Sequence, residues 1–396
     1  MRARFITLGD LDPAHKKVLI RADFNVPVSA GVIQDDTRIR ACLPTLKRLI
    51  AAPAGVILVS HLGRPKEGQY DDKYSLAPVA RHVSALLNQE VPLVRAWEDG
   101  ISVQPGEMVM LENIRFMPGE KNDDDDLARR LAGLCDVYVN DAFATAHRAQ
   151  ASTHGVVKYA PVSCAGPLLL SEIETLTKAL EQPTPPMTAI VGGAKVSTKL
   201  TVLKNLIKKV DQLIVGGGIA NTFLKAAGYA IGTSLHEADL VDAAADVLAY
   251  AEDHDKVIPL PVDVVCAKTL AEDAQAEVKI LAEIDADDKI LDVGPQTIKV
   301  NDRIIRSAAT ILWNGPLGVF EIGQFAAGTA ALARAIAASP GLSIAGGGDT
   351  VSAIARFGVA EGISCISTGG GVFLEMLGGK TLPAVAVLQE AALTRC

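Results

Sequence analysis

The chain has 396 residues, of which 49% are hydrophobic and 21% charged, with 34 glycines and 20 prolines. That length argues for two domains, and the composition excludes a disordered, collagen-like or low-complexity chain. A net charge of −8, from 38 Lys+Arg against 46 Asp+Glu, excludes general attraction to nucleic acid or anionic membrane, so any anion site must be local. Cys42, Cys135, Cys164, Cys266, Cys365 and Cys396 include no Cys-x-x-Cys pair. They read as buried small hydrophobes in a reducing compartment rather than as a zinc site or a disulfide framework. The first residues lack the apolar run of a signal peptide, and no stretch is long enough to span a bilayer, so a soluble cytoplasmic protein is expected.

In chain order, short Val/Ile/Leu-rich runs predict strands at 17–21, 55–60, 107–111 and 136–139, with helices opening near Thr37, Ser75 and Asn122. The acidic run 123–126 reads as a solvated first turn, favourable at the positive end of a helix dipole. A helix over 166–180 stops at Pro183, Pro185 and Pro186, which cannot continue it, and a domain boundary is placed there. Further strands are expected at 187–191, 212–215, 262–266, 289–292, 309–313 and 342–345, with Ala-rich amphipathic helices at 239–251 and 326–338. After Gly378 and Gly379 comes a final short helix. The alternation gives an α/β fold of two doubly wound, Rossmann-like parallel-sheet domains. The expected layout is a domain at 1–165, a helix and Pro-rich linker at 166–186, a second domain at 187–379 and a terminal segment at 380–396.

Ligands of open parallel sheets bind beyond the carboxyl ends of the strands. In the first half those ends carry Arg21, Asp23 and Asn25 in RADFNVP, His61 and Arg64 in SHLGRP, Arg115 in ENIRF, and His147 and Arg148 in DAFATAHR, while Arg38 opens the first helix. So many guanidiniums on one rim of an acidic chain imply a small polyanion, because their forks match phosphate and carboxylate oxygens in pairs. His61 and His147 lack the convergent partners of a metal site and read as hydrogen-bonding groups.

In the second half the same positions carry glycine: VGGAK (191–195), VGGGIA (215–220), AGGGDT (345–350) and TGGG (368–371). Glycine admits backbone N–H groups close to a ligand, and a helix N-terminus following at once attracts phosphate. If the stretch after Gly193 is helical, Lys195 and Lys199 share one face. Asp349 is placed either to meet Mg²⁺ riding on a phosphate chain or to cap a helix. Neither a Walker A motif nor a complete dinucleotide fingerprint is present. From the residues alone, a nicotinamide-dependent dehydrogenase and a two-lobed sensor of an anionic metabolite stay open beside an enzyme with an anion pocket in one half and a nucleotide pocket in the other.

RADFNVP (21–27), DDTRI (35–39), SHLGRP (60–65), LENIRF (111–116), NDAFATAHRAQAS (140–152), GGAKVSTKL (192–200), GGGIANTFL (216–224), WNGPLGVFE (313–321), GGGDT (346–350) and STGGG (367–371) run in order over nearly the whole chain. Together they resemble the phosphoglycerate kinase family, whose members move a phosphoryl group between 1,3-bisphosphoglycerate and ADP. The resemblance implies that Asp23, Asn25, Arg38, His61, Leu62, Gly63, Arg64, Arg115 and Arg148 hold the phosphoglycerate. It implies that Lys195, Lys199, Gly217, Asn314, Glu321, Gly347, Gly348, Asp349 and Thr350 hold ATP or ADP, with Mg²⁺ reached through Asp349 and mainly through the phosphates. Arg38, Lys199 and Lys195 are then the catalytic candidates. A C-terminal segment returning to the first domain after about Gly379 is also implied. Apart from the resemblance, the Pro-bounded helix 166–180 is the expected hinge if the two substrates bind different domains, and a monomer is expected because neither heptads nor an exposed apolar face emerges. Ala144 stands where the family pattern NDAFGTAHR has glycine.

Overall fold

The computed structural model describes residues 5–394 and divides into two compact units, 1–174 with 381–396, and 175–380. The division falls within one helix, Pro167–Glu181. Cys396 lies outside the described residues. None of the other five cysteines forms a disulfide; Cys365 is half-buried rather than buried as expected. No helix among the described residues is long and apolar enough to cross a membrane.

In the first unit the strands are β1 (Lys17–Arg21), the hairpin pair β2 (Val28–Ser29) and β3 (Val32–Ile33), β4 (Gly55–Val59), β5 (Leu93–Val94), β6 (Met108–Leu111), β7 (Val137–Asn140) and β8 (Ser163–Ala165). All but the hairpin form one parallel sheet in the order β5-β6-β4-β1-β7-β8. Its central strands are apolar without alternation because helices cover both faces: every residue of β4 is buried. The helices are α1 (Thr37–Ala51), α2 (Ala77–Leu87), α3 (Asp125–Ala132), α4 (Val156–Tyr159), α5 (Pro167–Glu181) and the C-terminal α13 (Pro383–Leu393), which packs on α4 and β8. From β1 the chain adds strands to one side and then, at β7, to the other. The crevice opened by that reversal lies at the carboxyl ends of β1 and β7.

The second unit has β9 (Met187–Val191), β10 (Gln212–Val215), β14 (Thr310–Asn314), β15 (Leu342–Ala345) and β16 (Cys365–Ile366) in a parallel sheet ordered β10-β9-β14-β15-β16. Here the reversal falls between β9 and β14, whose full-length pairing runs from Thr310 opposite Met187 to Asn314 opposite Val191. Helices α6 (Leu200–Leu206), α7 (Gly217–Ala226), α8 (Val241–Asp253), α9 (Pro295–Ser307), α10 (Ala327–Ala337), α11 (Gly348–Phe357) and α12 (Gly370–Leu377) complete the unit. The strands expected at 262–266 and 289–292 are not part of this sheet. As β11 (Asp263–Ala267) and β13 (Lys289–Val293) they sandwich β12 in sequence and form a separate antiparallel sheet, ordered β12-β11-β13 with β12 at Glu277–Ile280. The chain between them has no crossover helix, so antiparallel pairing is the arrangement it can close.

Buried carboxylates beside the strands hold the starts of the helices. Asp141 accepts N–H bonds from Leu168 and Leu169 at 2.8 and 3.1 Å and a hydroxyl bond from Thr45 at 2.6 Å. Asp263 receives Gln296 and Thr297 in α9, and Asp292 receives Gly328 in α10. Each satisfies donors that a helix leaves unpaired. Asp141→Ala should therefore cost about 2 to 4 kcal/mol, read as a lowered midpoint of urea denaturation; an unchanged midpoint would show that α5 does not depend on this anchor. The run 123–126 departs from its expected solvated form at one residue: Asp124 caps α3 through Leu127 N–H, but Asp123 is half-buried against His154 at 2.6 Å and Lys158 at 3.3 Å.

Candidate active site

The crevice of the first unit gathers the cations. Burial, followed by the guanidiniums of Arg21, Arg115, Arg38 and Arg148, holds the His61 imidazole well below its ordinary pKa. His61 is therefore neutral, and its 3.7 Å approach to Asp23 is not an ion pair. Asp23 instead binds Arg38 at 2.7 Å, and the same Arg38 nitrogen reaches the Asn25 carbonyl at 3.3 Å. The Asn25 side chain accepts the Gly63 N–H at 2.8 Å, while Asn113 holds the Leu62 carbonyl at 2.8 Å. Leu62 and Gly63 thus fix the turn after β4, and Arg115 Nη1 closes it by donating to the Gly63 carbonyl. Burial, with Arg21 and Arg148 nearby, lowers the Arg115 pKa to about 10, and its Nε is buried without a partner. Arg148 is exposed and donates to His147 at 2.9 Å. Arg64 is exposed and makes no hydrogen bond or ion pair among the described residues.

Arg21 differs from its expected place on the rim. It is wholly buried, with Nε donating to Ser152 Oγ at 2.9 Å, Nη1 to the Ala22 carbonyl and Nη2 to His61 Nδ1 at 3.2 Å. Beyond it, Ser152 donates its hydroxyl and its N–H to the two oxygens of Glu120, at 2.6 and 2.9 Å. Burial lifts the Glu120 carboxyl to about 7, against the opposing pull of Arg21 and the Ser152 bonds. Sequence reasoning did not assign Glu120 or Ser152. Ala144 lies in a 3-10 turn over Phe143–Thr145 with no positive φ, so its methyl group introduces no backbone strain.

In the second unit the glycine turns meet one another at the β9/β14 reversal. A Cβ on Gly192 would run into the carbonyl of Pro316, one on Gly315 into the carbonyl of Gly192, and one on Gly218 into the carbonyl of Ala194. Close approach of backbone to backbone is what these positions require. Gly347, at φ 108°, is the N-cap of α11. Asp349 is therefore in the first turn and not the cap. Asn314 donates to the Gly346 carbonyl at 2.6 Å, and Thr350 Oγ accepts the Gly315 N–H at 2.7 Å, so both side chains hold this turn from within. Asn314 Oδ1 is left buried without a partner.

Beside these turns lies a cavity of about 500 Å³, lined by Gly193, Gly217, Leu317, Val319, Glu321 and Asp349 among others. Most of its wall is aliphatic, a shelf that glycine spacing did not reveal but that PLGV in the WNGPLGVFE segment supplies. Lys195 and Lys199 do not share a helical face: 193–199 is a series of turns, and α6 begins only at Leu200. Glu237 explains the delay, since its carboxylate takes both the N–H of Ser197, at 2.7 Å, and its hydroxyl. Lys195 is exposed. Lys199 donates to the Gly192 carbonyl, and burial lowers its pKa to about 8 while Asp349 pulls the other way.

The sequence matches the family described as Phosphoglycerate kinase over residues 8–380. The fold is similar to the solved phosphoglycerate kinase of Coxiella burnetii, at 51% identity, TM-score 0.93, and coverage of 98% of this chain and 99% of that one. It is also similar to that of Pyrococcus horikoshii OT3, at 33% identity, TM-score 0.84, and again 98% and 99% coverage. With the whole length matched, with arginines gathered at one sheet reversal and glycine turns at the other, this chain belongs to the phosphoglycerate kinase family and is a phosphotransferase.

Proposed function

We propose that the chain catalyses reversible, Mg²⁺-dependent transfer of a phosphoryl group between 1,3-bisphosphoglycerate and ADP, giving 3-phosphoglycerate and ATP, as a cytoplasmic monomer acting in glycolysis and gluconeogenesis. In this reading the first unit holds the acid through Asp23, Asn25, Arg38, His61, Leu62, Gly63, Arg64, Arg115 and Arg148. The second holds the nucleotide through Lys195, Lys199, Gly217, Asn314, Glu321 and 347–350. The observation that carries it is the contrast between the two sheet reversals: guanidiniums around a neutral histidine at one, backbone turns beside an aliphatic cavity at the other. An anionic three-carbon acid suits the first chemistry, and a base with a phosphate tail suits the second.

The transition state of such a transfer is loose, with charge on the equatorial oxygens, so cations and N–H groups aimed there supply the acceleration. Arg38, Lys199 and Lys195 are assigned to that charge. The attacking oxygen is already ionised, so no general base is required. Asp349, exposed at the cavity wall and close enough to Lys199 to act on its pKa, is a donor suited to Mg²⁺, which commonly takes one or two carboxylates plus phosphate oxygens. When bound, that ion neutralises charge on the nucleotide phosphates. With the two substrates assigned to different units and reacting atoms needing to come within about 3 to 3.5 Å, the reading includes closure at a hinge in the α5 neighbourhood; scattering that shows no compaction with both substrates present would count against it.

The Lys199 pKa carries a pH signature. With the folded value lowered to about 8, the free protein presents an ammonium below that pH and loses it above. ADP affinity should fall about fivefold between pH 8 and pH 9, and calorimetry on Lys199→Met should lack this inflection. Between about 8 and the ordinary lysine value the unfolded chain binds the extra proton, so this group's share of stability rises with pH. The function itself is tested by a coupled assay for ATP formation from 1,3-bisphosphoglycerate and ADP. Turnover supports the reading, and its absence under saturating Mg²⁺ refutes it.

A further inference from the structure

The groups behind the arginine cluster form a continuous relay that the transfer mechanism does not use. Glu120 is fully buried and receives both the hydroxyl and the N–H of Ser152. Because that hydroxyl proton is committed to Glu120, the Ser152 oxygen is turned to accept Arg21 Nε, at 2.9 Å. Arg21 is then fixed at all three nitrogens, and its Nη2 meets His61 Nδ1 at 3.2 Å. A guanidinium only donates, so Nδ1 must accept and the imidazole proton must sit on Nε2.

We propose that Glu120 is a positioning residue for the acid site: through Ser152 and Arg21 it fixes His61 as the neutral tautomer that offers an Nε2–H donor. A neutral imidazole has two tautomers of similar energy, and only one can donate from Nε2. An anion offers acceptors alone, so the other tautomer would present it with a lone pair. Glu120 acts without touching substrate, and its buried carboxylate also offsets Arg21 in a cluster otherwise rich in positive charge. The kinetic part of this inference rests on the proposed phosphoglycerate site, whereas the tautomer part rests on the relay alone.

The test is long-range ¹H–¹⁵N spectroscopy of the full, ligand-free chain labelled at histidine, with the His61 signals assigned by their loss in His61→Asn. At pH 8.5, where the Glu120 carboxyl lifted to about 7 is ionised, the wild type should show a bare Nδ1 and a protonated Nε2. Glu120→Gln replaces one acceptor oxygen by an NH₂ donor, so the Ser152 hydroxyl must turn and the signals should move toward a mixture of tautomers. The same variant should raise KM for 3-phosphoglycerate about tenfold, the worth of one charge-assisted bond, with KM for ATP unchanged. Ser152→Ala, which keeps the N–H bond to Glu120 and removes only the hydroxyl, should reproduce both effects and decides the matter if Glu120→Gln does not fold. A wild-type His61 protonated at Nδ1, His61 signals unmoved in both variants, or an unmoved KM for the acid would overturn the proposal. A wild type inactive on phosphoglycerate would refute the functional reading alone, and the spectra would still decide the relay.

Discussion

Replacing Arg38 by Ala is expected to lower kcat by on the order of 10²-fold or more, with KM for the nucleotide essentially unchanged. Arg38 is one-third exposed and held by a single 2.7 Å ion pair to Asp23, with a longer bond to the Asn25 carbonyl. That leaves Nη2 and Nε without partners among the described residues, in contrast to Arg21, whose nitrogens are all engaged. A guanidinium half-held by the protein is oriented yet still has donors to give, which is what stabilisation of developing charge requires. Loss of a group that acts in the transition state appears in kcat and kcat/KM together, while loss of a uniform binding contact appears in KM. Steady-state kinetics on both substrates reads the difference. A variant with near wild-type turnover removes Arg38 from the mechanism.

The second large effect is expected at Gly192. Its Cβ would meet the Pro316 carbonyl and the backbone of Gly315, atoms that cannot swing aside as a flexible side chain would. Gly192→Ala must then push apart the turns after β9 and β14, the place where Lys199 is tethered and where Leu317 lines the cavity. Overpacking of this kind costs about 1 to 3 kcal/mol, or roughly a 5- to 150-fold weaker ADP Kd. Calorimetry with ADP measures it, and titration with 3-phosphoglycerate provides the control, because the acid site is proposed in the other unit. Unaltered ADP affinity would show that the turns have room the structure does not display.

Much of this was legible beforehand because parallel-sheet strands are buried on both faces and announce themselves as apolar runs: 187–191 and 212–215 match β9 and β10. Other strands carry no such signal. Leu93–Val94 and Cys365–Ile366 are two-residue edges, and Glu277–Ile280 alternates in a small antiparallel sheet with only Lys279 buried. At the site, residue type was easier to read than role. Arg21 occupies the expected strand end, but its position in the interior depends on Ser152 and Glu120, which are distant in sequence and linked only by folding. Asn314 and Thr350 likewise brace a turn, because their partners Gly346 and Gly315 lie on neighbouring strand ends. Whether 193–199 is helical stays open in the sequence because Glu237, far along the chain, supplies the acceptor that displaces the first helical turn.

The central claim is that the two ligands go to chemically different units, and a crystal structure with 3-phosphoglycerate and ADP both bound tests it most directly. The account predicts the acid against Arg38, Arg115, Arg148 and His61, and the nucleotide in the cavity beside Gly217 and Leu317 with its phosphates toward Lys199 and Asp349. An acid bound in the second unit, or a nucleotide lying away from the glycine turns, would contradict it.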